Sequence, residues 1–219
     1  MTRTLSVTVP AGAAQLEGIL ALPASPIGMV LFAHGSGSGR LSPRNNYVAT
    51  QLHAAGIATL LLDLLTAQED AVYQNRFDIG LLCRRLHAAA SWLGTEPLSA
   101  PLALGLFGAS TGAAAALRLA ADAGSGVAAV VSRGGRPDLA GPALEHVDAP
   151  TLLIVGGEDG TVIGMNREAL DLLRCEKELA IVPGAGHLFE QPGTLEQAAT
   201  LEQAATLACA WFVRHFEPA

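Results

Sequence analysis

The sequence predicts an α/β fold: a mostly parallel eight-stranded sheet with helices on both faces and no cap domain. Three observations carry this prediction. Short continuous runs of Val, Ile, Leu and Ala recur along the chain, as expected of strands buried on both faces. Beyond the first third of the chain these runs alternate with longer segments of helical periodicity. Several runs also stop abruptly at glycine-rich or polar loops, and in such sheets ligands bind beyond the carboxyl ends of the strands.

Taken in order, LSVTV (5–9) and EGILALP (17–23) read as a hairpin joined through Gly12. MVLFAH (29–34) is the first buried strand and stops at GSGSG. A helix over about 46–55 precedes the strand IATLLLD (57–63). The stretch 71–94 reads as one long helix, with Leu81, Leu82, Leu86, Ala89 and Leu93 along one side. LALGLFG (102–108), a helix at 111–123 and VAAVVS (127–132) follow, then the strand TLLIVGG (151–157). A helix at 164–174, the strand ELAIVP (178–183) and a C-terminal helix complete the series.

Half of the 219 residues are hydrophobic and 15% are charged, which excludes a disordered, tail-like chain. Residues 1–219 are read as one domain, a length that buries a sizeable core. Aromatics make up 5%, so packing is expected to rest on Leu, Val and Ile set against small residues. The net charge of −7 argues against a nucleic-acid partner. No unbroken apolar stretch of membrane-spanning length occurs, and MTRTLSVTVP lacks the apolar centre of a signal peptide. The expected location is therefore the cytoplasm. Cys83, Cys175 and Cys209 are widely spaced with no CxxC, and read as buried thiols rather than a redox pair or a metal site. No cofactor or metal is expected.

TLEQAA at 194–199 repeats at once as 200–205. Thr194 with Gln197, or Thr200 with Gln203, matches a capping box, so each copy is a plausible helix start. Six added residues lengthen a helix by about 9 Å and rotate its downstream face by about 240°. The duplication is therefore expected to project beyond the domain at a helix start.

The chemistry is expected at Gly108-Ala109-Ser110-Thr111-Gly112, which follows a strand and opens an alanine-rich helix. That is the context of a G-x-S-x-G nucleophile elbow, whose tight turn admits only small neighbours. A serine hydroxyl needs a base. His187, in PGAGHLFE after the last strand, is the candidate, with Gly184 and Gly186 allowing its loop to bend. His53, His87 and His215 fall in helical stretches, His146 in a connecting segment, and His34 is expected to make a structural hydrogen bond. The third group should be a carboxylate after another strand: Asp159 in GGEDGTV, with Glu158 as competitor and Asp63 as a weaker one. The chain order Ser110, Asp159, His187 is the order used by α/β-hydrolases. An oxyanion hole needs two backbone amides, expected from Thr111 and from Ser36 in the loop after LFAH.

The same loop also suggests a dinucleotide-binding turn. The third glycine of that motif falls at Ser38 or Arg40, however, and Pro43 is expected to delay the helix. A phosphate loop fails for want of G-K-[ST].

Together, FAHGSGSG, LFGASTGAAAAL, LLIVGGEDGTV and GAGHLFE resemble the α/β-hydrolase superfamily, and within it the dienelactone hydrolase-like branch. The resemblance covers nearly the whole chain, VVSRGGRPDL (130–139) included. It implies cleavage of an ester, thioester or lactone in a small acyl substrate, without a metal. Dienelactone hydrolases proper use a cysteine nucleophile, and Ser110 departs from that pattern. Two other classes stay open: an idle scaffold acting as a binding protein, and an acyltransferase. Arg40, Arg44, Arg133 and Arg136 flank the expected cleft, as binders of an acidic acyl group or as solvated loop residues. The sequence sets no oligomeric state.

Overall fold

The structure is a computed structural model that describes residues 1–189 and 195–216, with side chains for all of these except 195–199. Its sheet holds eight strands: β1 (Arg3–Ala11), β2 (Ala14–Leu22), β3 (Gly28–Ala33), β4 (Ile57–Leu62), β5 (Leu104–Ala109), β6 (Val127–Arg133), β7 (Thr151–Gly156) and β8 (Lys177–Val182). Their spatial order is β1-β2-β4-β3-β5-β6-β7-β8. The β1–β2 hairpin is antiparallel, and β2 joins β4 antiparallel. All pairs from β4 to β8 are parallel. The hairpin closes through Gly12 at φ 68°, a left-handed conformation that costs glycine nothing.

Helices α1 (Pro43–Ala54), α2 (Ala67–Asp70), α3 (Ile79–Thr95), α4 (Thr111–Ala120), α5 (Gly160–Leu172) and α6 (Leu195–Phe216) connect and cover the strands. Period-two alternation sends neighbouring strand residues to opposite faces. Met29, Leu31 and Ala33 of β3 join the core under α3, α4 and α5, while Val30 and Phe32 join the core under α1 and α6. Only the 3-10 segment Pro137–His146 intervenes between β6 and β7, so among the described residues no cap domain is inserted there.

Three expectations about the helices need correction. The stretch 71–94 is not one helix: a 3-10 turn at Tyr73–Phe77 precedes α3, which starts only after Asp78. Asp78 Oδ1 accepts the Leu81 N–H at 2.9 Å, a helix start inside the run of periodic residues. Pro43 does not delay α1 but begins it, with Ser42 as the capping residue. In the C-terminal helix, Thr200 is no cap. It lies inside α6, where its hydroxyl donates to the Phe189 carbonyl at 3.3 Å. Thr194 lies outside the described residues.

The aromatics are few but not dispersed. Phe32, Phe107, Phe189, Trp211, Phe212 and Phe216 all belong to the core beneath α1 and α6. Glycines in the sheet make room for them: a Cβ at Gly28 would lie 2.2 Å from the Phe216 ring, and one at Gly105 would lie 2.7 Å from Phe212. On the other face, Ala113–Ala116 of α4 are fully buried, so this helix sits close to the strands. Small residues thus let aromatic rings approach the sheet on one face and helix α4 approach it on the other.

This complementarity is testable by chemical denaturation. Gly105→Ala should cost about 1–3 kcal/mol by overpacking, and Phe212→Ala about 3–5 kcal/mol by leaving a cavity. The double variant should lose less than the sum, because the new methyl then enters space the ring has vacated.

Candidate active site

The elbow forms because β5 runs directly into α4 with one residue between them. Ser110 takes φ 49° and ψ −122°, an unusual conformation for a residue with a side chain. Hydrogen bonds hold it from several directions. Its N–H donates to the Arg133 carbonyl at 3.4 Å, and its own carbonyl accepts from Arg136 N–H at 3.0 Å and Ala113 N–H at 3.1 Å. The glycines are steric requirements. A Cβ at Gly108 would lie 2.4 Å from Ala113 Cα, and one at Gly112 would lie 2.1 Å from the Ala33 carbonyl oxygen.

His187 and Asp159 meet. His187 Nδ1 stands 2.7 Å from Asp159 Oδ2. Asp159 leaves β7 as the first flank of α5, and His187 sits in a turn closed by Phe189 N–H on the Gly186 carbonyl at 3.1 Å. A carboxylate on Nδ1 leaves Nε2 as the atom able to accept a proton. Glu158 is exposed, and its backbone N–H binds the Ala185 carbonyl at 3.0 Å. Asp63 is placed elsewhere: its Oδ1 accepts the Arg40 backbone N–H at 2.6 Å, and its Oδ2 pairs with the Arg40 guanidinium.

Ser36 lies on a turn in which Ser38 N–H donates to the Gly35 carbonyl at 3.2 Å, with Gly37 at φ 68°. The backbone passes so near the elbow that a Cβ at Gly35 would sit 2.9 Å from Ser110 Cβ. Thr111 is the first residue of α4, where an amide has no partner within its helix. Among the described residues, neither the Ser36 nor the Thr111 amide donates to another protein group.

Ser36, Ser110 and His187 line one cavity of about 200 Å³, together with Arg44, Asn45 and Arg133. A second cavity of about 440 Å³ adjoins it and shares Ser38, Ser42 and Arg44. The four flanking arginines sit in different surroundings. Arg40 is engaged by Asp63 and Glu17, and Arg136 by both carboxylate oxygens of Asp138 at 2.9 and 2.7 Å. Arg44 and Arg133 face the Ser110 cavity. Arg133 is buried between the Phe107 and Phe189 rings, its guanidinium carbon 5.9 and 5.8 Å from their centroids.

The model of the dienelactone hydrolase family matches residues 17–216. The chain belongs to the dienelactone hydrolase family.

A crystal structure of a dienelactone hydrolase from Anabaena variabilis is 52% identical, superposes with a TM-score of 0.92 and is covered to 99% in both chains. A dienelactone hydrolase-like promiscuous phosphotriesterase from metagenomic libraries, 20% identical with a TM-score of 0.79 and 99% coverage of both chains, shares the fold. Proteins from two strains of Mycobacterium tuberculosis, named "Putative phosphoribosyl transferase", are 54% identical over 213 residues. That match takes in 97% of this chain and 47% of theirs, so the chain spans about half the length of these curated relatives. Membership in the dienelactone hydrolase family supports hydrolase activity. No helix among the described residues is long and apolar enough to cross a membrane, and none of their side chains form a cluster able to hold a metal.

The candidate site has supports that no sequence motif singled out. Phe189 is buried at φ 56°, two residues beyond His187, and anchors that loop in the core. Gly134, at φ 51°, lies beneath the same loop: a Cβ there would come within 2.8 Å of the His187 carbonyl oxygen. The repeated glycine in Arg133-Gly134-Gly135-Arg136 was the available signal. Burial holds the His34 imidazole below its ordinary pKa, and the same desolvation lowers His53 and His215.

The backbone conformation at Ser110 yields a stability test. Glycine adopts it without penalty, whereas alanine retains the Cβ. Ser110→Gly should therefore be more stable than Ser110→Ala by about 1 kcal/mol, the relieved strain less glycine's greater unfolded-state entropy. Paired urea melts check this, and an alanine variant as stable as the glycine variant would remove the strain.

Proposed function

We propose that this chain hydrolyses a carboxylic ester, thioester or lactone through an acyl-enzyme on Ser110, with His187 as general base and Asp159 orienting it. The observation that carries the reading is the 2.7 Å contact of His187 Nδ1 with Asp159, in a site where His187 and Ser110 line one cavity. Ser110 Oγ attacks the acyl carbonyl and His187 Nε2 takes its proton. The Ser36 and Thr111 amides receive the charge that develops on the carbonyl oxygen. His187 returns the proton to the leaving group, and a water activated in the same way releases the acid. Nothing in this sequence of steps calls on a cofactor. The phosphoribosyl transferase name belongs to chains of about twice this length and is not carried over. Hydrolysis, rather than acyl transfer, is the reading the family supports.

Labelling with a fluorophosphonate, together with turnover of small p-nitrophenyl esters, thioesters and lactones, tests this reading. Wild type should label at Ser110, and Ser110→Ala should neither label nor turn over substrate. Asp159→Asn should lower kcat by about 10³–10⁴-fold with Glu158→Gln within about threefold of wild type. Full activity in Ser110→Ala would end the proposal, and release of a transferred product to an added alcohol or thiol in preference to water would make the chain a transferase.

Arg44 and Arg133 in the cavity favour a substrate carrying a carboxylate, since a guanidinium in a partly desolvated site matches that group in charge and shape. Arg133→Met should lower kcat/KM for esters of dicarboxylic acids about tenfold more than for neutral esters of the same size. Equal losses on both substrates would remove the carboxylate preference and leave the hydrolase reading untouched.

A further inference from the structure

We propose that His34 is the positioning residue of the oxyanion hole: its imidazole fixes the Gly35–Ser36 peptide so that the Ser36 N–H points at the developing oxyanion. The inference rests on the acyl-enzyme reading of Ser110 above and adds a residue which that mechanism does not use. The ring is buried, 6% exposed, and both its nitrogens are engaged. The Leu64 backbone N–H donates to Nε2 at 2.9 Å. Nε2 is therefore the unprotonated nitrogen, and the ring proton sits on Nδ1. Nδ1 stands 2.9 Å from the Gly35 carbonyl oxygen, so it donates there. The tautomer is set by the protein backbone.

The carbonyl that receives this proton belongs to the amide whose N–H is that of Ser36. A trans peptide is planar, with C=O and N–H pointing in opposite directions. Holding the oxygen thus aims the hydrogen, and withdrawing electron density through the oxygen strengthens the N–H as a donor. Ser36 lines the Ser110 cavity, and its amide has no acceptor among the described residues. The Ser38 N–H shares the Gly35 oxygen at the longer distance of 3.2 Å, so the turn alone holds that carbonyl less firmly. The other end of the imidazole ties the loop to Leu64, just beyond β4. One buried ring therefore links the sheet to the peptide over the nucleophile.

Two substitutions separate this role from simple structural support, because each keeps one of the two contacts. In His34→Asn the side-chain amide stands where Nδ1 was and retains the bond to Gly35, but not the one from Leu64. In His34→Gln the carboxamide oxygen reaches the position of Nε2 and retains Leu64, but offers Gly35 no donor. Activity should follow the Gly35 contact and stability the Leu64 contact. His34→Asn is expected to keep kcat within about fivefold of wild type, and His34→Gln to lose about 10–10²-fold in kcat with KM changed less than threefold, a fraction of the 10²–10³-fold that follows loss of a whole oxyanion donor. Melting temperatures should rank the other way, with Gln above Asn. A kcat that follows the melting temperature, or equals wild type in both variants, overturns the proposal. If neither variant folds, ¹⁵N-histidine NMR of the wild-type protein decides: the Nδ1–H tautomer at His34 supports the inference, and the Nε2–H tautomer or a charged ring overturns it. Fluorophosphonate labelling of wild type is measured alongside. Absence of label on Ser110 indicts the acyl-enzyme reading, whereas normal label with the wrong Asn-to-Gln order indicts His34 alone.

Discussion

The site depends on one steric constraint: α4 begins so close to the ends of β3 and β5 that there is no space for a Cβ at Gly108 or Gly112. That closeness compels Ser110 into its left-handed conformation and lifts its hydroxyl above the sheet edge. It also leaves the first amides of α4, without partners inside the helix, beside the Ser110 hydroxyl. The strain is sustained because the neighbouring backbone over-determines it, with Arg133 and Arg136 hydrogen-bonded to Ser110 on either side. The buried run Ala113–Ala116 of α4 belongs to the same solution, since larger residues there would push the helix away and open the turn.

Around that fixed point the remaining groups arrive on separate loops, each tied down independently. Asp63 clasps the far end of the loop that carries Ser36, through the backbone and side chain of Arg40. Phe189 roots the loop that carries His187, and Gly134 lets that loop lie directly on the strand exit. A rigid sheet edge with individually anchored loops is how an α/β scaffold keeps reactive groups in register while their surroundings vary.

Much of this was legible in the sequence because the physics is local. The strands announced themselves as apolar or alternating runs, the outer β1 and β8 being largely exposed, and the glycines flanking Ser110 signalled a tight turn. Asp159 and His187 were legible for the same reason: each follows a strand in a loop rich in glycine. What the sequence concealed was tertiary. Nothing local distinguishes Asp159 from Glu158; the choice is made by which carboxylate the β7 exit turns toward the imidazole. The four arginines looked alike, yet their partners are tertiary and differ: Asp63 at a distant strand end holds Arg40, Asp138 two residues away holds Arg136, and Asn45 accepts from Arg133. The start of α3 was misplaced because helical periodicity runs smoothly through Asp78, whose capping role depends on a backbone break that hydrophobic spacing does not register.

Among residues 200–216 of α6, the buried side chains are Ala204, Ala205, Ala208, Trp211, Phe212 and Phe216. The described part of α6 is thereby tied to the sheet through its aromatic side chains and to the end of the His187 loop through the Thr200 hydroxyl on the Phe189 carbonyl, so one helix braces both.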